Sequence, residues 1–317
     1  MILTDYFRST PDATWDIALQ SGVNHGVIRL PEDADFSHSN ESHWGTVVKR
    51  FNDYGITPVA IEPMPNSLHD HIKIGDEKRD ESIAEVIKMF PIMRKYNIDT
   101  ICFNFMAHIG WLRTSSSFKE RGGALVTEFK MSDFVPTDKK ITAEKLWENY
   151  EYFVKAVVPE AEKYEIKLGL HPDDPPVPRL GDVERIMISK ENIKRAVYGI
   201  VESESLGVTM CQANYHIMGE DVYKTVDEFG KKIFMVHFRN TTGTPEHFRE
   251  TYHDNGELDM ARLMKQYVAL GINAPIRVDH VPTMPGEVST LPGYDALGRL
   301  YAIGYMRGLY EAAKGDK

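Results

Sequence analysis

Four side chains of metal-ligand type occupy matching places in the second half of the chain. His171 follows the apolar run IKLGL, Cys211 follows GVTM, His237 follows IFMV and Asp279 follows PIRV. Two neutral imidazoles, a thiolate and a carboxylate together suit a divalent cation, and the ligands of such a site need not be close in sequence. Each of them alone has a simpler structural explanation, such as a cysteine packed in the core. Their coincidence at four apolar-run ends favours a metal site.

The elements that must position these side chains can be read from hydrophobic periodicity. Short apolar runs predict eight strands, at 2–7, 25–30, 57–62, 100–105, 166–171, 207–211, 233–238 and 275–280. Helical spacing predicts helices between them, at 12–22, 44–55, 82–97, 143–165, 221–230 and 259–271. Near-continuous apolar strands alternating with helices indicate a parallel sheet covered on both faces. We therefore predict an α/β fold, a single (β/α)₈ TIM-barrel domain over residues 1–317, in which all strand ends meet on one face.

An open, doubly wound sheet is the structural alternative to a barrel. The sequence contains no GxGxxG after its first predicted strand and no GxxxxGK[ST], so the nucleotide-binding versions of that fold lose their main support. The long stretch 106–142 follows the fourth predicted strand and has no clear periodicity. An excursion of that length usually has a function, and we predict that it forms a cap over the active-site face.

Composition narrows the class of partner. The 317 residues are 42% hydrophobic and carry a formal net charge of −10, which repels phosphate backbones and anionic lipid surfaces. We therefore expect a small-molecule substrate, no nucleic acid and no membrane partner. The N-terminus shows no targeting segment and no apolar run approaches 18 residues, so we expect a cytoplasmic protein. Of the two cysteines, Cys102 lies inside a predicted strand rather than at its end, and we interpret it as a packing residue.

Several motifs together resemble the mannonate dehydratase family. They are IEPMP, ICFNFMAHIGWLR, LHPDDPP, VHFRN, HFRETYHDNGELDM, VDH and PGYDALGRLYAIGYMRG, which follow one another in order over nearly the whole chain. Members are metal-dependent sugar-acid lyases on a xylose-isomerase-like TIM barrel that act in hexuronate catabolism. The resemblance implies dehydration of an aldonic acid, most directly D-mannonate, to 2-keto-3-deoxy-D-gluconate and water. It also implies that His171, Cys211, His237 and Asp279 hold the metal. The family generally uses Mn²⁺, whereas ligand softness leaves Fe²⁺ or Zn²⁺ open.

The same resemblance implies that His280 and Tyr294 are the acid–base residues. Dehydration removes a weakly acidic proton beside a carboxylate and expels hydroxide, and a histidine can exchange protons near neutral pH. His280 directly follows the ligand Asp279, and Tyr294 lies on the loop that enters the last helix. The sequence leaves open which of the two takes the proton and which assists the leaving group.

Further residues are expected to contact the substrate. Arg239 lies two residues after His237, on the same side of a continuing strand, and could bind the substrate carboxylate in a bidentate manner. An ion pair with an acidic neighbour is the alternative for this arginine. The other expected substrate contacts are Asn240, Glu250, His253, Asn104 and Arg113.

The sequence departs from the family pattern at some sugar-reading positions. After the cysteine ligand, the stretch 212–218, QANYHIM, replaces a Gly/Ser turn and polar run of the family. Gly110 stands where the family tends to place Asp, and VIRLPED lacks the usual His. Dehydratase chemistry is thus better supported than mannonate as substrate. A metal-dependent sugar isomerase or epimerase is the alternative enzyme, although such sites are commonly rich in carboxylates. A non-catalytic sugar-acid or metal-binding protein is the third hypothesis. Barrels of this family often form homodimers, to which exposed aromatics such as Trp147 and Tyr150 could contribute. The alternative is that both residues face the barrel wall.

Overall fold

Eight strands form the centre of the molecule. The structure, a computed structural model, describes residues 1–289 and 291–315. The strands are β1 (Ile2–Phe7), β2 (His25–Ile28), β3 (Thr57–Ile61), β4 (Thr100–Phe103), β5 (Lys167–Leu170), β6 (Leu206–Cys211), β7 (Ile233–His237) and β8 (Pro275–Arg277). All eight neighbouring pairs are parallel, and β8 pairs with β1 to close the barrel. The predicted (β/α)₈ barrel is confirmed, and the open sheet is wrong.

Ten helices surround the strands. They are α1 (Ala13–Gln20), α2 (Glu41–Tyr54), α3 (Asn66–Ile74), α4 (Arg79–Lys95), α5 (Ala143–Lys163), α6 (Lys190–Tyr198), α7 (Gln212–Ile217), α8 (Val222–Phe229), α9 (Met260–Ala269) and α10 (Ala296–Ala313), as found in the described residues. Short 3-10 turns occupy Arg121–Gly123, Met131–Asp133 and Gly230–Lys232. The sequence analysis predicted six of the helices and gave no bounds for α3, α6, α7 and α10.

Local signals explain where the helices begin and end. The side chain of Asn40 accepts a hydrogen bond from the backbone nitrogen of Ser42 at the start of α2, and Asp221 caps α8 in the same way through Lys224. At the other end of α2, Gly55 adopts the left-handed conformation with φ of 94°, which a residue with a side chain rarely adopts. Such caps fix the register at which each helix packs on the barrel.

The apolar side chains form two layers that differ in position. The larger lies between the strands and the helices and includes fully buried Trp15, Trp44 and Phe103. A small cluster packs separately and includes Val27 and Cys102, both from strands whose side chains alternate between the two faces. It fills the barrel interior below the strand ends, so the site above it has an apolar floor.

Segment 106–142 is not irregular, as the sequence suggested, but contributes strands to two small sheets. Its strands Ser115–Lys119 and Leu125–Lys130 pair antiparallel, and the second also pairs with His247–Glu250. Thr241–Thr244 completes this four-stranded sheet, which we call the cap sheet. Strand alternation is hidden in the sequence because polar residues such as SSSFK form the outer strand. The cap sheet therefore joins the excursion after β4 to the loop after β7.

A second, three-stranded sheet uses the rest of the excursion. Its strands are Lys140–Ile141, Asp182–Glu184 and Arg179–Leu180. Tyr150, considered as an exposed dimer contact, is fully buried, because it lies on the face of α5 that packs on the barrel. Among the described residues, no helix combines the length and apolar character needed to cross a lipid bilayer.

Candidate metal centre and active site

The four predicted ligands lie at the carboxyl ends of consecutive barrel strands. His171 directly follows β5, Cys211 ends β6, and His237 ends β7. Asp279 lies two residues beyond β8 and has a φ of 60°, the left-handed region that non-glycine residues seldom occupy. This backbone turn directs the residues after β8 across the barrel mouth.

Three of these side chains, those of His171, Cys211 and His237, form one group, and Asp279 lies next to His237. Nε2 of His171 lies 3.1 Å from Nδ1 of His237, and Oδ2 of Asp279 lies 3.6 Å from the same Nδ1. The ligand atoms of His171, Cys211 and His237 all lie within 4.8 Å of one another. Metal bonds of about 2.0–2.3 Å place neighbouring ligand atoms roughly 3–4 Å apart. The group therefore has the size of a coordination shell.

The hydrogen bonds of the two imidazoles also fit a cation between them. Nδ1 of His171 lies 2.6 Å from the carbonyl oxygen of Pro172 and donates to it, so its Nε2 carries a lone pair. Nε2 of His237 lies 3.0 Å from Oε1 of Glu62, although the contact is poorly aligned for a hydrogen bond, and the carboxylate favours a proton on that nitrogen. Two lone pairs then face each other across 3.1 Å. A cation between them removes the repulsion, and outer partners of this kind are typical of metal-binding histidines.

Electrostatics keep the ligands in the forms that bind metals. Burial lowers the pKa of His171, which keeps this imidazole neutral. Burial alone would raise the pKa of Asp279, but His280, Arg277 and further positive neighbours hold it well below its usual value. Nη1 of Arg277 lies 2.9 Å from Oδ1 of Asp279, and Nε of Arg239 lies 2.8 Å from Oδ2. The carboxylate is therefore ionised.

A second group of possible ligands shares His237. Glu62, Cys102 and His237 offer ligand atoms within 4.8 Å of one another. Both oxygens of Glu62 already accept hydrogen bonds from Arg277, each at 2.8 Å, and burial raises the pKa of the Cys102 thiol well above its usual value. A protonated thiol and a neutralised carboxylate are weaker ligands than the first group provides. Cys102 is nevertheless more than a packing residue, because it lines the central cavity.

The central cavity opens above these residues and has a volume of about 590 Å³. His171, His237 and Asp279 line it, whereas Cys211 is fully buried behind them. Both predicted acid–base residues, His280 and Tyr294, line it as well. The cavity therefore brings the candidate cation ligands and the two predicted acid–base residues to one space, whose volume is that of a small-molecule site.

His280 and Tyr294 lie side by side at the cavity wall. Their ring centroids are 5.3 Å apart, and Nε2 of His280 lies 3.6 Å from Oδ1 of Asp279. Trp111, from the excursion after β4, covers His280 with ring centroids 5.1 Å apart. Burial, and then the charge of Asp279, raise the pKa of the Tyr294 phenol. The phenol therefore keeps its proton at neutral pH.

Arg239 lies outside the cavity wall, and its contact with the substrate carboxylate stays a prediction. Its side chain is 0% exposed, and it does not appear in the cavity wall. Nη1 donates to both oxygens of Glu250 at 2.7 and 2.8 Å, and Nη2 donates to Asp174 at 2.8 Å. The alternative expectation, an ion pair with acidic neighbours, matches the structure, because the guanidinium already binds these carboxylates.

Of the remaining residues expected to contact the substrate, one lines the cavity and the others lie outside its wall. Asn104 lines the cavity. Asn240 and His253 lie outside the cavity wall: Asn240 donates to two backbone carbonyls at 3.1 Å, and His253 bonds the carbonyl of Val278 at 2.8 Å. These two side chains hold loops together. A direct substrate contact stays a prediction for both of them.

Arg113 and Glu250 also lie behind the cavity, where each is almost fully buried. Arg113 donates to Asp174 and to Glu250, and Arg239 contacts the same two carboxylates. We call Arg113, Asp174, Arg239 and Glu250 the charge layer. The charges of this layer neutralise one another, and direct substrate contacts for Arg113 and Glu250 stay predictions.

Sequence reasoning missed several residues that line the cavity, among them three charged residues that contact predicted site residues. Glu62 directly follows β3, Arg277 ends β8, and Asp174 lies in HPDDPP. Glu62 met the same strand-end criterion that selected the metal ligands. Arg277 had no comparable signal, because one arginine inside an apolar strand does not reveal its partner.

Comparisons with known proteins point in one direction. A family model described as D-mannonate dehydratase (UxuA) matches residues 42–138 and 130–317. Mannonate dehydratase from Brachyspira hyodysenteriae is 32% identical, over 90% of this chain and 91% of its own length. Mannonate dehydratase from Streptococcus agalactiae serotype Ia is also 32% identical, over 83% of this chain and 84% of its own.

Solved structures agree with the sequence relatives. The crystal structure of mannonate dehydratase from Streptococcus suis serotype 2 superposes with a TM-score of 0.90 at 27% identity, covering 99% of this chain and 93% of that one. A structure of L-ribulose 3-epimerase gives a TM-score of 0.60 at 13% identity over 98% of this chain and 95% of that one. The second similarity concerns the fold alone.

Proposed function

Because the chain belongs to the D-mannonate dehydratase family, we propose that it removes water from D-mannonate to give 2-keto-3-deoxy-D-gluconate, with the help of a bound divalent cation. The matching family model and relatives confirm the resemblance predicted from the motifs. The enzyme is accordingly a carbon–oxygen lyase. The observation that carries the proposal is the joint position of His171, His237, Asp279, His280 and Tyr294 on one cavity.

We propose that the cation is held by His171, Cys211, His237 and Asp279. Mn²⁺ is our choice for this ion, and the donor set also suits Fe²⁺ or Zn²⁺. When bound, the ion would polarise the substrate carboxylate and stabilise negative charge that develops beside it. Glu62 supports the site by contacting the outer nitrogen of His237.

The chain's own residues supply the proton transfers. We assign proton removal from carbon 2 to His280 and proton donation to the hydroxyl leaving carbon 3 to Tyr294. The raised pKa of Tyr294 keeps the phenol protonated at neutral pH, which argues against Tyr294 as the base. His280 is then the acceptor, and its Nε2 lies next to the ligand Asp279. Trp111 covers the imidazole and limits access of water to it.

Cellular compartment and assembly stay predictions. Both cysteines are free thiols, and a ligand thiolate at Cys211 is best preserved in a reducing cytoplasm. A homodimer remains the expected assembly. Light scattering on the purified chain measures its mass directly, and a mass of about twice 36.1 kDa is the expected result.

The proposed reaction can be tested on the purified protein. We expect the Mn²⁺-loaded enzyme to form an α-keto acid from D-mannonate, or from a related aldonate in a panel, with a proton NMR spectrum that shows a new methylene at carbon 3. The variant His280→Asn should retain the metal and lose turnover. Metal-loaded protein that turns over no aldonate contradicts the proposal, and a product that keeps every oxygen would assign it to the isomerases or epimerases.

A further inference from the structure

Glu250 lies outside the cavity but contacts an acid–base residue inside it. Its Oε1 is 3.1 Å from Nδ1 of His280, and its side chain is 1% exposed. The residue ends the strand His247–Glu250, the part of the cap sheet that comes from the loop after β7. A carboxylate that does not reach the cavity therefore lies behind an imidazole that faces the cavity.

The charge state of Glu250 follows from its neighbours. Nη1 of Arg239 donates to both of its oxygens, at 2.7 and 2.8 Å, and Nη2 of Arg113 donates to Oε1. Burial alone would raise the pKa of Glu250, yet Arg239, His280 and Arg113 hold it well below its usual value. An ionised carboxylate only accepts hydrogen bonds. In this contact Nδ1 of His280 is therefore the donor.

We propose that Glu250 is the positioning residue of His280: it holds the imidazole proton on Nδ1 and directs a lone pair on Nε2 toward the substrate. This inference rests on the proposed function, in which His280 exchanges a proton with substrate. Nε2 lies on the side of the ring near Oδ1 of Asp279, so the proton acceptor is next to the proposed cation. A carboxylate that orients a histidine in this way also stabilises the imidazolium formed when the proton arrives.

In this arrangement the charge layer holds Glu250 in place behind His280. Arg113 and Arg239 both donate to Oε1 of Glu250, the oxygen that also contacts Nδ1 of His280, and so restrict the position of the carboxylate. The strand that carries Glu250 pairs with Leu125–Lys130, where Phe248 lies opposite Phe129. Glu250 thus connects the cap sheet to His280. The position of the cap sheet therefore sets the orientation of the His280 imidazole.

The tautomer of His280 tests the inference without any turnover. The full-length chain, loaded with diamagnetic Zn²⁺ in the same site and labelled with ¹⁵N, gives long-range ¹H–¹⁵N correlations for each imidazole. His280→Asn identifies the signals that belong to His280. We expect a neutral ring with its proton on Nδ1. A proton found on Nε2 instead overturns the inference, even if the enzyme dehydrates D-mannonate as proposed.

Substitution provides a second, kinetic test. In Glu250→Gln the amide can donate to Nδ1 and so favour the wrong tautomer, and we expect kcat to fall roughly 10²- to 10⁴-fold while KM changes less than about threefold. Glu250→Asp keeps the charge and should recover part of kcat. Bound metal, measured by elemental analysis, should stay at the wild-type ratio in both variants.

The cap sheet offers a matched control. Glu128 is also buried, and it also contacts a histidine, His247, at 2.9 Å, but this pair lies away from the cavity. Glu128→Gln should leave kcat within about twofold of the wild type, as is usual for a change away from the reacting groups. An equal fall of kcat in Glu128→Gln and Glu250→Gln overturns the inference, because it would indicate a general effect of the cap sheet. If Glu250→Gln does not fold, the wild-type tautomer still decides the question.

Discussion

His171 and His237 turn their ring nitrogens toward each other, with Nε2 of the first 3.1 Å from Nδ1 of the second. Each ring has a polar partner on its other nitrogen, the carbonyl of Pro172 in one case and Glu62 in the other. Two acceptors at this distance are stable only with a positive charge between them. The pair therefore defines the centre of the proposed metal site.

The two cysteines distinguish this site from the second group of possible ligands. We expect Cys211→Ser to weaken binding of Mn²⁺ by more than the roughly 10- to 100-fold that loss of an orienting partner costs. Cys102→Ser should retain the metal, because its thiol is protonated and belongs to the group whose glutamate is bound by Arg277. Titration calorimetry on both variants measures the difference. Loss of metal in Cys102→Ser alone would indicate that the metal binds to Glu62, Cys102 and His237 instead.

This contrast also shows what sequence could and could not provide. The strand ends were predictable, because parallel strands in a barrel deliver all their carboxyl ends to one face. That rule selected the four proposed metal ligands, His171, Cys211, His237 and Asp279. Glu62 also met the rule, but the sequence analysis did not select it. The position of Cys102 was also predictable, because successive side chains of a strand point to opposite faces. Ile101 and Phe103 pack toward the helices, so Cys102 between them faces the barrel interior.

The layer behind the cavity was not predictable in the same way. Arg113 comes from the excursion after β4, whereas Arg239 and Glu250 come from the one after β7, and sequence does not show which charges meet. Polar residues near an active-site motif were therefore assigned to the substrate, although most of them contact one another. Only packing in three dimensions separates the cavity wall from the residues that support it.

Arg239 is expected to affect stability more than substrate binding. Arg239→Met leaves Asp174 and Glu250 buried with one fewer cation, and we expect a loss of about 3–5 kcal/mol in the free energy of unfolding. Arg94 forms an exposed pair with Glu165, so Arg94→Met should cost less than about 1 kcal/mol. Urea unfolding measures both values. A fully stable Arg239→Met with only a raised KM would instead indicate a direct contact with substrate.

Trp111 is expected to contact the bound substrate. Its ring is 41% exposed, lines the cavity and lies over His280. Trp111→Ala should raise KM roughly tenfold, because an aromatic contact of about 1–1.5 kcal/mol corresponds to that factor. D-mannonate added to His280→Asn should also protect Trp111 from iodide quenching of its fluorescence. Unchanged KM and quenching would place the substrate away from the cap.

Gly298 controls how α10 packs against the loop after His280. A Cβ atom there would lie 2.1 Å from the carbonyl oxygen of Pro282 and 2.9 Å from Val281, so helix or loop must move. We expect Gly298→Ala to lose about 1–3 kcal/mol of stability and to lower kcat. Gly304 lies in the same helix in open space, and Gly304→Ala should gain about 0.5–1 kcal/mol. Thermal unfolding compares the pair, and equal stability of the two variants would contradict the close contact.

The metal site itself can be located by anomalous diffraction at the manganese edge, using crystals of the protein grown with Mn²⁺. We expect one strong peak between Nε2 of His171 and Nδ1 of His237, within bonding distance of Cys211 and Asp279. A peak at Glu62 and Cys102, or no peak at the strand ends in protein that dehydrates D-mannonate, would contradict it.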